Sequence, residues 1–503
     1  MTFTLPTKRS HALLGTGTWV GFPEDQEQQV RRRAMRSQTL FQSKASPLLD
    51  FPALQAIQTV LQAQPSPDLF LMDLKTAHIE RVVSLPEQPA PQIDLLNLQA
   101  PTTRGPLPDL PDQSIIHPTL GMVLGFHMEP FSGSEPMMHA QLAAAHTGQQ
   151  VMGTGRASHY LKARILSVLE ALERDAGMEN QSSAPTCTAS FQDLPEAMDP
   201  GSFGLYRPEQ YHQKGFPFVP FDAAAPRNWV QGQHALSGKK VWLEQSLCFY
   251  ESKTRFAPLV AGNSSGCAVG STPEEALMHA VLEALERHAA LKWWSSDVVP
   301  AVLDLELDPQ SQLLGQVMER HGHTFRLFNL SGDLPVAVVM CQISGHHNGK
   351  PTLILTTGAG FHAQDAARQA LSEALGLLTV RLQFTARDFQ KIHDLQENFD
   401  RVEEVSDHLK AHFYPDPELQ KRLEGGPAEP LPERVSTLSE LLLKLQALGM
   451  DTYMVDQTTP LLSHWNLRCV RALITHSIPM HYGASVQRDH PLNLPDRRVH
   501  PFT

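Results

Sequence analysis

Two stretches of the chain carry the same short row of acids. Val281-Leu-Glu-Ala-Leu-Glu-Arg-His-Ala289 nearly repeats Val168-Leu-Glu-Ala-Leu-Glu-Arg-Asp-Ala176, differing only where His288 stands against Asp175. Each copy offers Glu-x-x-Glu-Arg: Glu170, Glu173 and Arg174 in the first, Glu283, Glu286 and Arg287 in the second. Taken singly, either row reads as a solvated helix face with an ordinary i,i+4 pair worth about 0.3–0.5 kcal/mol. The duplication and the glycine-rich lead-ins, Gly153-Thr-Gly155 and Gly262-Asn-Ser-Ser-Gly266, favour a shared purpose. Four carboxylates gathered in a cleft repel one another, and each resists desolvation unless cations sit among them. Oxygen-only ligands suit Mg2+, which completes its octahedron with phosphate oxygens and water. The two arginines then supply charge for phosphate.

The elements that must position these groups are helices. Ser271-Thr272-Pro273-Glu274-Glu275 is a helix start, with hydroxyls to cap, proline in the first turn and acids at the positive end of the dipole. The spacing predicts a helix from there to about Trp293, with Glu275, His279, Glu283, Glu286 and Arg287 on one face. Leu277, Ala280, Val281, Ala284, Leu285 and Leu291 cover the rest. In the earlier copy, Ser167, Glu170, Glu173 and Arg174 form the stripe, between Leu161, Ile165, Leu166, Leu169 and Leu172. Stripes this narrow predict helices that are mostly buried.

Asn263-Ser-Ser-Gly-Cys-Ala-Val-Gly-Ser-Thr-Pro-Glu-Glu275, running on into the second acidic row, resembles the nucleotide-binding signature of the YcaO family, ATP-dependent enzymes that activate peptide backbone amides. Ser167-Val-Leu-Glu-Ala-Leu-Glu-Arg174 resembles the first of that family's two acidic helices. Further matches fall in the family's order: Phe191 to Pro200, Trp229 to Gly232, Gly238 to Trp242, Trp293-Trp294, Gly358-Ala-Gly360 followed by Ala367 to Glu373, and Thr452 to Asp456. The resemblance covers roughly residue 115 to the C-terminus.

By that resemblance the fold class is α/β of the YcaO type, with mixed sheets packed with helices around an internal pseudo-repeat. Residues 1–114 would be a small N-terminal accessory or docking segment, and 115–503 the ATP-dependent catalytic domain with a proline-rich tail. The implied Mg2+ ligands are Glu170, Glu173, Glu283 and Glu286. The implied ATP contacts are Ser167, Arg174, Asn263, Ser264, Ser271, Glu275, Arg287 and Arg368, and the implied catalytic groups are Glu170, Glu283 and the Thr503 carboxylate as proton acceptor.

Several positions depart from the family's pattern. Gly153-Thr-Gly-Arg-Ala157 stands for a glycine-lysine-glycine turn, in which Ala157 lacks glycine's ease of positive φ. The relatives' nucleotide-contacting serine falls at Leu166, with Ser167 one step later and about 100° round the helix. Ala268 has no donor where relatives place one. Relatives put an arginine where Gln369 stands, with Arg368 beside it, while Glu373 is in place. The tail, Pro491-Leu-Asn-Leu-Pro-Asp-Arg-Arg-Val-His-Pro-Phe-Thr503, would be frayed on general grounds. Azoline-forming relatives often end in a proline-rich tail whose carboxylate enters the active site, and a functional tail is the expectation here.

Composition sets outer bounds. A chain of 503 residues, 41% hydrophobic and 19% charged, can bury a large core. Net charge −12 argues against a nucleic-acid surface, although a triphosphate remains open to it through Mg2+. Cys187, Cys248, Cys267, Cys341 and Cys469 are widely spaced and never form CxxC, so neither a disulfide framework nor a zinc site is suggested. The first residues lack a signal-peptide core and no stretch is long enough to span a membrane, so a cytoplasmic protein with no membrane association is expected.

Along the chain, Glu24 to Arg36 reads as a charged helix, Asp68 to Asp73 and His78 to Ser84 as strands, and the prolines from Pro86 to Pro111 as a linker. Gly15-Thr-Gly17 lacks the strand and the Gly-Lys-Ser/Thr of a phosphate loop. Gly121 to Gly125 is an early strand of the second segment. Residues 177–262, including Phe216 to Phe221 and Val241 to Tyr250, read as strands and loops. Thr324 to Leu330, Pro335 to Cys341 and Thr352 to Thr356 read as strands, Ala363 to Phe384 as a helix, and the charged stretch 390–436 as a surface insertion.

The activity implied is an ATP- and Mg2+-dependent cyclodehydratase of thiazole/oxazole-modified peptide biosynthesis, converting Cys, Ser or Thr of a ribosomal precursor peptide to thiazoline or oxazoline. The same fold makes thioamides and amidines, and a catalytically silent assembly or peptide-binding subunit is the reading from another class. The implied partners are the precursor peptide, an E1-like/ThiF-like protein that binds its leader, and an FMN-dependent dehydrogenase, around a homodimer within a hetero-complex.

Overall fold

The structure is a computed structural model. It describes the strands between residues 9 and 82, parts of 93–143, and residues 150–503 apart from 252–254, 433–434 and 490–498. Two compact units emerge: Met1–Gln88, Leu107–Glu129 and Met137–Asp175 form one, and Pro89–Pro106, Pro130–Pro136 and Ala176–Thr503 the other. Every pairing between named strands is antiparallel.

Among the described residues the first unit contains two sheets. One has the order β3-β1-β2-β4-β5 and is built from β1 (Arg9–Leu14), β2 (Thr18–Pro23), β3 (Phe41–Ser43), β4 (Leu69–Asp73) and β5 (Ile79–Val82). The expected strands at Asp68 to Asp73 and His78 to Ser84 are β4 and β5. The charged segment Glu24 to Arg36, the Gly15 to Gly17 turn and most of the proline-rich linker lie outside the described residues. The second sheet is a meander of β6 (Val123–Met128), β7 (Met137–Ala143) and β8 (Gln150–Arg156), so the early strand starts two residues later than expected from Gly121.

Helix α1 (Tyr160–Met178) follows β8 and carries the first acidic row. This helix is less buried than expected, and on a different side: Tyr160 and Leu161 are exposed and Ile165, Leu166 and Leu169 only half-buried, whereas Ala163, Ser167 and Ala171 are buried, because the small residues face β8. Gly153 and Gly155 lie within β8 rather than in a turn, and Ala157, where the family pattern has glycine, does not take a positive φ. A Cβ on Gly153 would enter Ser167 O and Ala171 N, and one on Gly155 would enter Ala163 O and Ser167 N. Glycine is needed there because strand backbone rests directly on helix backbone.

Among the described residues the second unit has a six-stranded and a four-stranded sheet. The first includes β9 (Thr186–Ser190), β10 (Pro226–His234), β11 (Lys240–Glu244) and β12 (Cys267–Gly270). Val241 to Tyr250 is thus strand only as far as Glu244, where a helical turn begins, and Phe216 to Phe221 is irregular chain packed in the adjacent core. Helix α2 (Pro273–Ser295) carries the second acidic row. The second sheet runs β13 (Ala301–Val302), β14 (Thr324–Asn329), β15 (Ala337–His347), β16 (Lys350–Gly360), with α3 (Pro309–Arg320) between β13 and β14 in sequence and α4 (Ala363–Arg381) after β16. Further on come α5 (Ala386–Glu397), α6 (Val405–Ala411), α7 (Pro417–Arg422) and α8 (Leu438–Ala447), then β17 (Thr452–Asp456) and β18 (Arg468–Ile474). The last two complete the first sheet in the order β11-β10-β17-β18-β12, with β9 on β10.

Helix α2 is the layer these two sheets share. One core packs its Leu277, Val281 and Leu285 with Val470, Ala472 and Ile474 of β18, with Val336, Val338 and Ala359 at the other sheet, and with Leu441 and Leu442 of α8. Fourteen of its 23 residues are buried, as the narrow polar stripe required. Helix α4 buries Ala367, Leu371 and Leu375 in a separate core with Val339, Cys341 and Ile354.

The stretch 390–436 is not only a surface insertion. Leu419 and Leu423 join a core with Trp293 and Trp294, and Arg422 donates to Trp293 O at 2.6 Å and lies over the Trp293 ring. A buried guanidinium there satisfies carbonyls at the C-terminal end of α2, where the helix dipole favours a cation. Arg401, Glu403, Glu404, Glu418 and Lys421 are exposed as expected, but the charge of Arg422 did not mean solvent.

Nor is the chain end frayed. Val499, His500, Pro501 and Phe502 are buried, with Phe502 edge-on to Trp293 at 6.2 Å between ring centroids. His408 Nδ1 bonds His500 O at 2.7 Å, His412 Nε2 bonds Val499 O at 2.6 Å, and His500 Nε2 bonds His481 O at 2.7 Å. Residues 491–498 of the tail lie outside the described residues.

Candidate functional site

The two acidic rows repeat in space as well as in sequence. In the first unit, Glu170 Oε2 accepts from the amide of Thr154, in the middle of the glycine lead-in, at 2.8 Å. Its Oε1 pairs with Arg174 Nη2 at 2.6 Å, and Arg174 also donates to Met152 O. In the second unit, Glu283 Oε2 accepts from the amide of Gly266 at 3.0 Å, and its Oε1 accepts from Arg287 Nε at 3.2 Å. Each row thus clamps its own lead-in with the first glutamate and steadies that glutamate with the arginine four residues on. Gly266 has φ +78°, a conformation that glycine adopts without strain, and this aims its amide at the helix.

The second row has more around it. Glu286, buried in α2, accepts from Thr357 Oγ1 of β16 at 2.8 Å. Burial and then the neighbouring Glu373 carboxylate raise its pKa to about 8, against the opposing influence of Arg287 and Thr357. Arg287 also donates to the hydroxyl of Tyr482. Glu373 was legible in the sequence, but Thr357 and Tyr482 were not; neither belongs to a repeated motif. In the first unit, His139 of β7 bonds Thr154 Oγ1 at 2.9 Å, and its pKa is lowered chiefly by burial, against the pull of Glu129 and Glu170. The one difference between the repeats is buried in both copies, and His288 Nδ1 accepts from the amide of Ile478 at 3.0 Å.

Other expected groups are engaged within the protein. Ser167 is completely buried and donates to Arg164 O at 2.8 Å, within its own helix at the seam with β8. Glu173 is half-buried on α1. The side chain of Asn263 holds the glycine turn, donating to Met480 O at 2.8 Å and accepting from Ser265 N at 3.0 Å, while Ser264 O accepts from Cys267 N at 2.9 Å. The N-cap of α2 is Thr272, and Ser271 bonds Glu275 through both its amide and its hydroxyl. Ala268 is buried in the core facing α2, so the missing donor there is a packing position.

Arg368 is tied to Asp365 and lies 3.8 Å from Asp308. Gln369, one turn before Glu373, is on the face that Glu373 uses, and Arg368 is turned from it by about 100°. Thr503, the proton acceptor by expectation, is half-buried beyond the anchored Phe502.

Among the described residues no three acidic, histidine or cysteine side chains are gathered as a ready-made metal cage. The donor set nevertheless fits Mg2+, an ion that keeps several waters and phosphate oxygens and takes only one or two carboxylates. Buried, and beside Glu373 and Glu283, the Glu286 carboxyl is unfavourable as an anion, and a nearby cation would favour its ionised form.

A family model described as YcaO cyclodehydratase, ATP- and Mg2+-binding, matches residues 154–476. An uncharacterised protein of Methanothermobacter thermautotrophicus is 24% identical over 337 residues, 64% of this chain and 82% of that protein. A heterocyclase solved in complex with substrate and cofactor is similar in structure, with a TM-score of 0.71 at 16% identity, covering 94% of this chain and 73% of the other. YcaO from Methanopyrus kandleri, bound with AMPPCP and Mg2+, superposes with a TM-score of 0.52 at 16% identity, covering 74% of this chain and 91% of the other. At such identities the likeness in structure speaks for the fold. Among the described residues no helix is long and apolar enough to cross a membrane.

Proposed function

The chain belongs to the YcaO family, whose cofactors are ATP and Mg2+, and from that premise we propose that it is a peptide cyclodehydratase, forming thiazoline or oxazoline rings from Cys, Ser or Thr of a ribosomal precursor peptide. In this reaction the side-chain nucleophile gives up its proton and bonds to the preceding carbonyl carbon, whose π bond opens to leave negative charge on oxygen. That oxygen takes the γ-phosphoryl group of ATP as ADP leaves, and its bond to carbon then breaks as phosphate leaves, the nitrogen gives up its proton and the carbon–nitrogen double bond forms. ATP supplies the phosphoryl group that makes the oxygen a leaving group, and Mg2+ supplies positive charge for the triphosphate among carboxylates.

The protein's part is placement and charge balance. Glu170, Glu173, Glu283 and Glu286 are the proposed carboxylate ligands, with Arg174 and Arg287 facing phosphate. Glu170 and Glu283 are held by backbone amides and by those arginines, so each presents its carboxylate from a fixed position. Asn263, Ser264, Ser271, Glu275 and Arg368 shape the nucleotide's surroundings, and the carboxylate of Thr503 accepts the proton from nitrogen. The buried course of Val499 to Phe502 supports a tail with a task. The proposed setting is a homodimer within a complex that includes an E1-like leader-binding protein and an FMN-dependent dehydrogenase, in the cytoplasm.

The observation that carries this reading is the doubled clamp, because a scaffold has no use for two copies of one charge-balanced ridge. Glu170→Gln and Glu283→Gln proteins, supplied with precursor and partner, should lose peptide-stimulated ATP hydrolysis. Normal turnover in both would overturn the assignment. Mass spectrometry of treated precursor identifies the product: one water lost per ring for azolines, an oxygen-to-sulfur exchange for thioamides, and amine incorporation with loss of water for amidines.

A silent assembly subunit is the second reading, favoured by the internal engagement of Ser167, Asn263, Ser271 and Glu275. It expects nucleotide binding without peptide-stimulated turnover even when the partner is present.

A further inference from the structure

Behind the second glycine turn is a small cavity whose charged walls the proposed reaction does not use. Strand β18 alternates: Val470, Ala472 and Ile474 enter the core with α2, whereas Leu473 enters the opposite core with Leu247, Tyr453 and Val455. Arg471, two residues before Leu473, therefore carries a guanidinium toward that second apolar core, and it is 7% exposed. It donates from Nη1 to Asn263 O at 2.7 Å and lies 3.7 Å from Cys267 Sγ, while its buried Nε has no partner.

Arg488 reaches the same cavity from another segment, partly buried, donating from Nε to Gly204 O at 3.0 Å and from Nη2 to Phe203 O at 2.7 Å and Gly204 O at 2.6 Å. Among the described residues neither guanidinium is paired with a carboxylate, and no acidic residue lines the cavity. Ser246, Ser265 and Ser477 add hydroxyls to its wall. Two cations without a counter-charge are an unfavourable arrangement in a folded chain. The proximity of the two, after burial, contributes to lowering Arg488 to about 10.

We propose that this cavity is a binding site for a small oxyanion of the phosphate class, held between Arg471 and Arg488. Its volume of about 60 Å3 matches such an ion and is far below the roughly 300 Å3 at which pockets for drug-sized ligands begin. Water would solvate the guanidinium groups but would not neutralise them, whereas an oxyanion accepts charge-assisted bonds from both. The occupant would also steady the turn, since Arg471 holds Asn263 O and that turn carries the Gly266 amide bonded to Glu283. The site stands whether or not the chain is a cyclodehydratase.

Titration of the full chain with inorganic phosphate, without nucleotide, tests this by calorimetry together with phosphate-dependent thermal shift. The expected result is one saturable site, weakened about tenfold or more in Arg471→Gln and in Arg488→Gln, the scale of a lost charge-assisted bond. If Arg471→Gln does not fold, Arg488→Gln decides alone. Absence of saturable binding in the unaltered protein overturns the proposal. So does wild-type affinity in both arginine variants, or loss of binding only in Arg287→Gln, which would put the ion at the proposed nucleotide site instead.

Discussion

Arg287 donates to the phenol oxygen of Tyr482, 195 residues further along the chain. Through it the second acidic row meets the C-terminal tail: the Tyr482 ring lies 6.0 Å from that of His500, which packs against Phe502. The ridge and the chain's last residues thus belong to one connected set of contacts.

Tyr482→Phe would leave Arg287 without the acceptor that fixes it opposite Glu283. A hydrogen bond to a charged group contributes about 1.5–3 kcal/mol, so a loss of stability in that range is expected by urea unfolding. ATP affinity should fall with it, because Arg287 would no longer be held in one orientation. Unchanged stability and affinity would show that the contact is incidental.

The tail separates packing from chemistry. Phe502→Ala removes a buried ring from the core with Trp293, and a loss of up to about 3–5 kcal/mol is expected, less if the chain end simply detaches. Deleting Thr503 alone should barely change the melting temperature, since that residue is half-buried. If its carboxylate accepts the proton, turnover should nevertheless drop by about 100-fold or more. Equal turnover with and without Thr503 would remove the carboxylate from the mechanism.

Acid should loosen the tail. His500 is buried, and burial first, then His408 and His481, hold its pKa well below 6.5, while its bond to His481 O opposes the shift. His412 also faces it, and His408 is lowered too, chiefly by burial and against its bond to His500 O and the nearby Asp407. Below the unfolded value of 6.5 the unfolded chain binds more protons than the folded one. The stabilisation is therefore complete above that pH and is lost as pH falls toward the folded value, by about 1.4 kcal/mol per unit for each such group. Urea unfolding at pH 7.5 and 5.5 measures this, and His500→Gln should flatten the difference.

One buried ion pair supports the first sheet of the second unit. Arg227 donates from Nε and Nη2 to Glu244 Oε1 at 2.9 Å, and Glu244 Oε2 receives the amide of Ser246 at 2.8 Å. Glu244→Gln strands a buried guanidinium, and a loss of about 3–5 kcal/mol is expected by thermal or denaturant unfolding. Replacing both residues with apolar ones of similar volume should cost much less. Equal losses for the single and double replacements would mean that packing, not charge, is what the pair provides.

The acidic rows, their helices and the start of the second at Ser271 to Glu275 were determined by the sequence alone, because period and capping are properties of neighbours along the chain. The strands at Thr324, Pro335 and Thr352 were legible for the same reason. Only the tertiary structure decided what lies against each row. Thr357 and Tyr482 reach the second row from a distant strand and loop, and the burial of that row makes Glu286 a reluctant anion. It also gave Gly153 and Gly155 their reason, helix backbone pressed on strand backbone, and it brought Leu419 and Leu423 of a charged stretch and Phe502 of the tail into a core. A residue's period fixes the direction its side chain takes from its own element. Its charge state, its partners and its freedom depend on whatever surface folds against that direction.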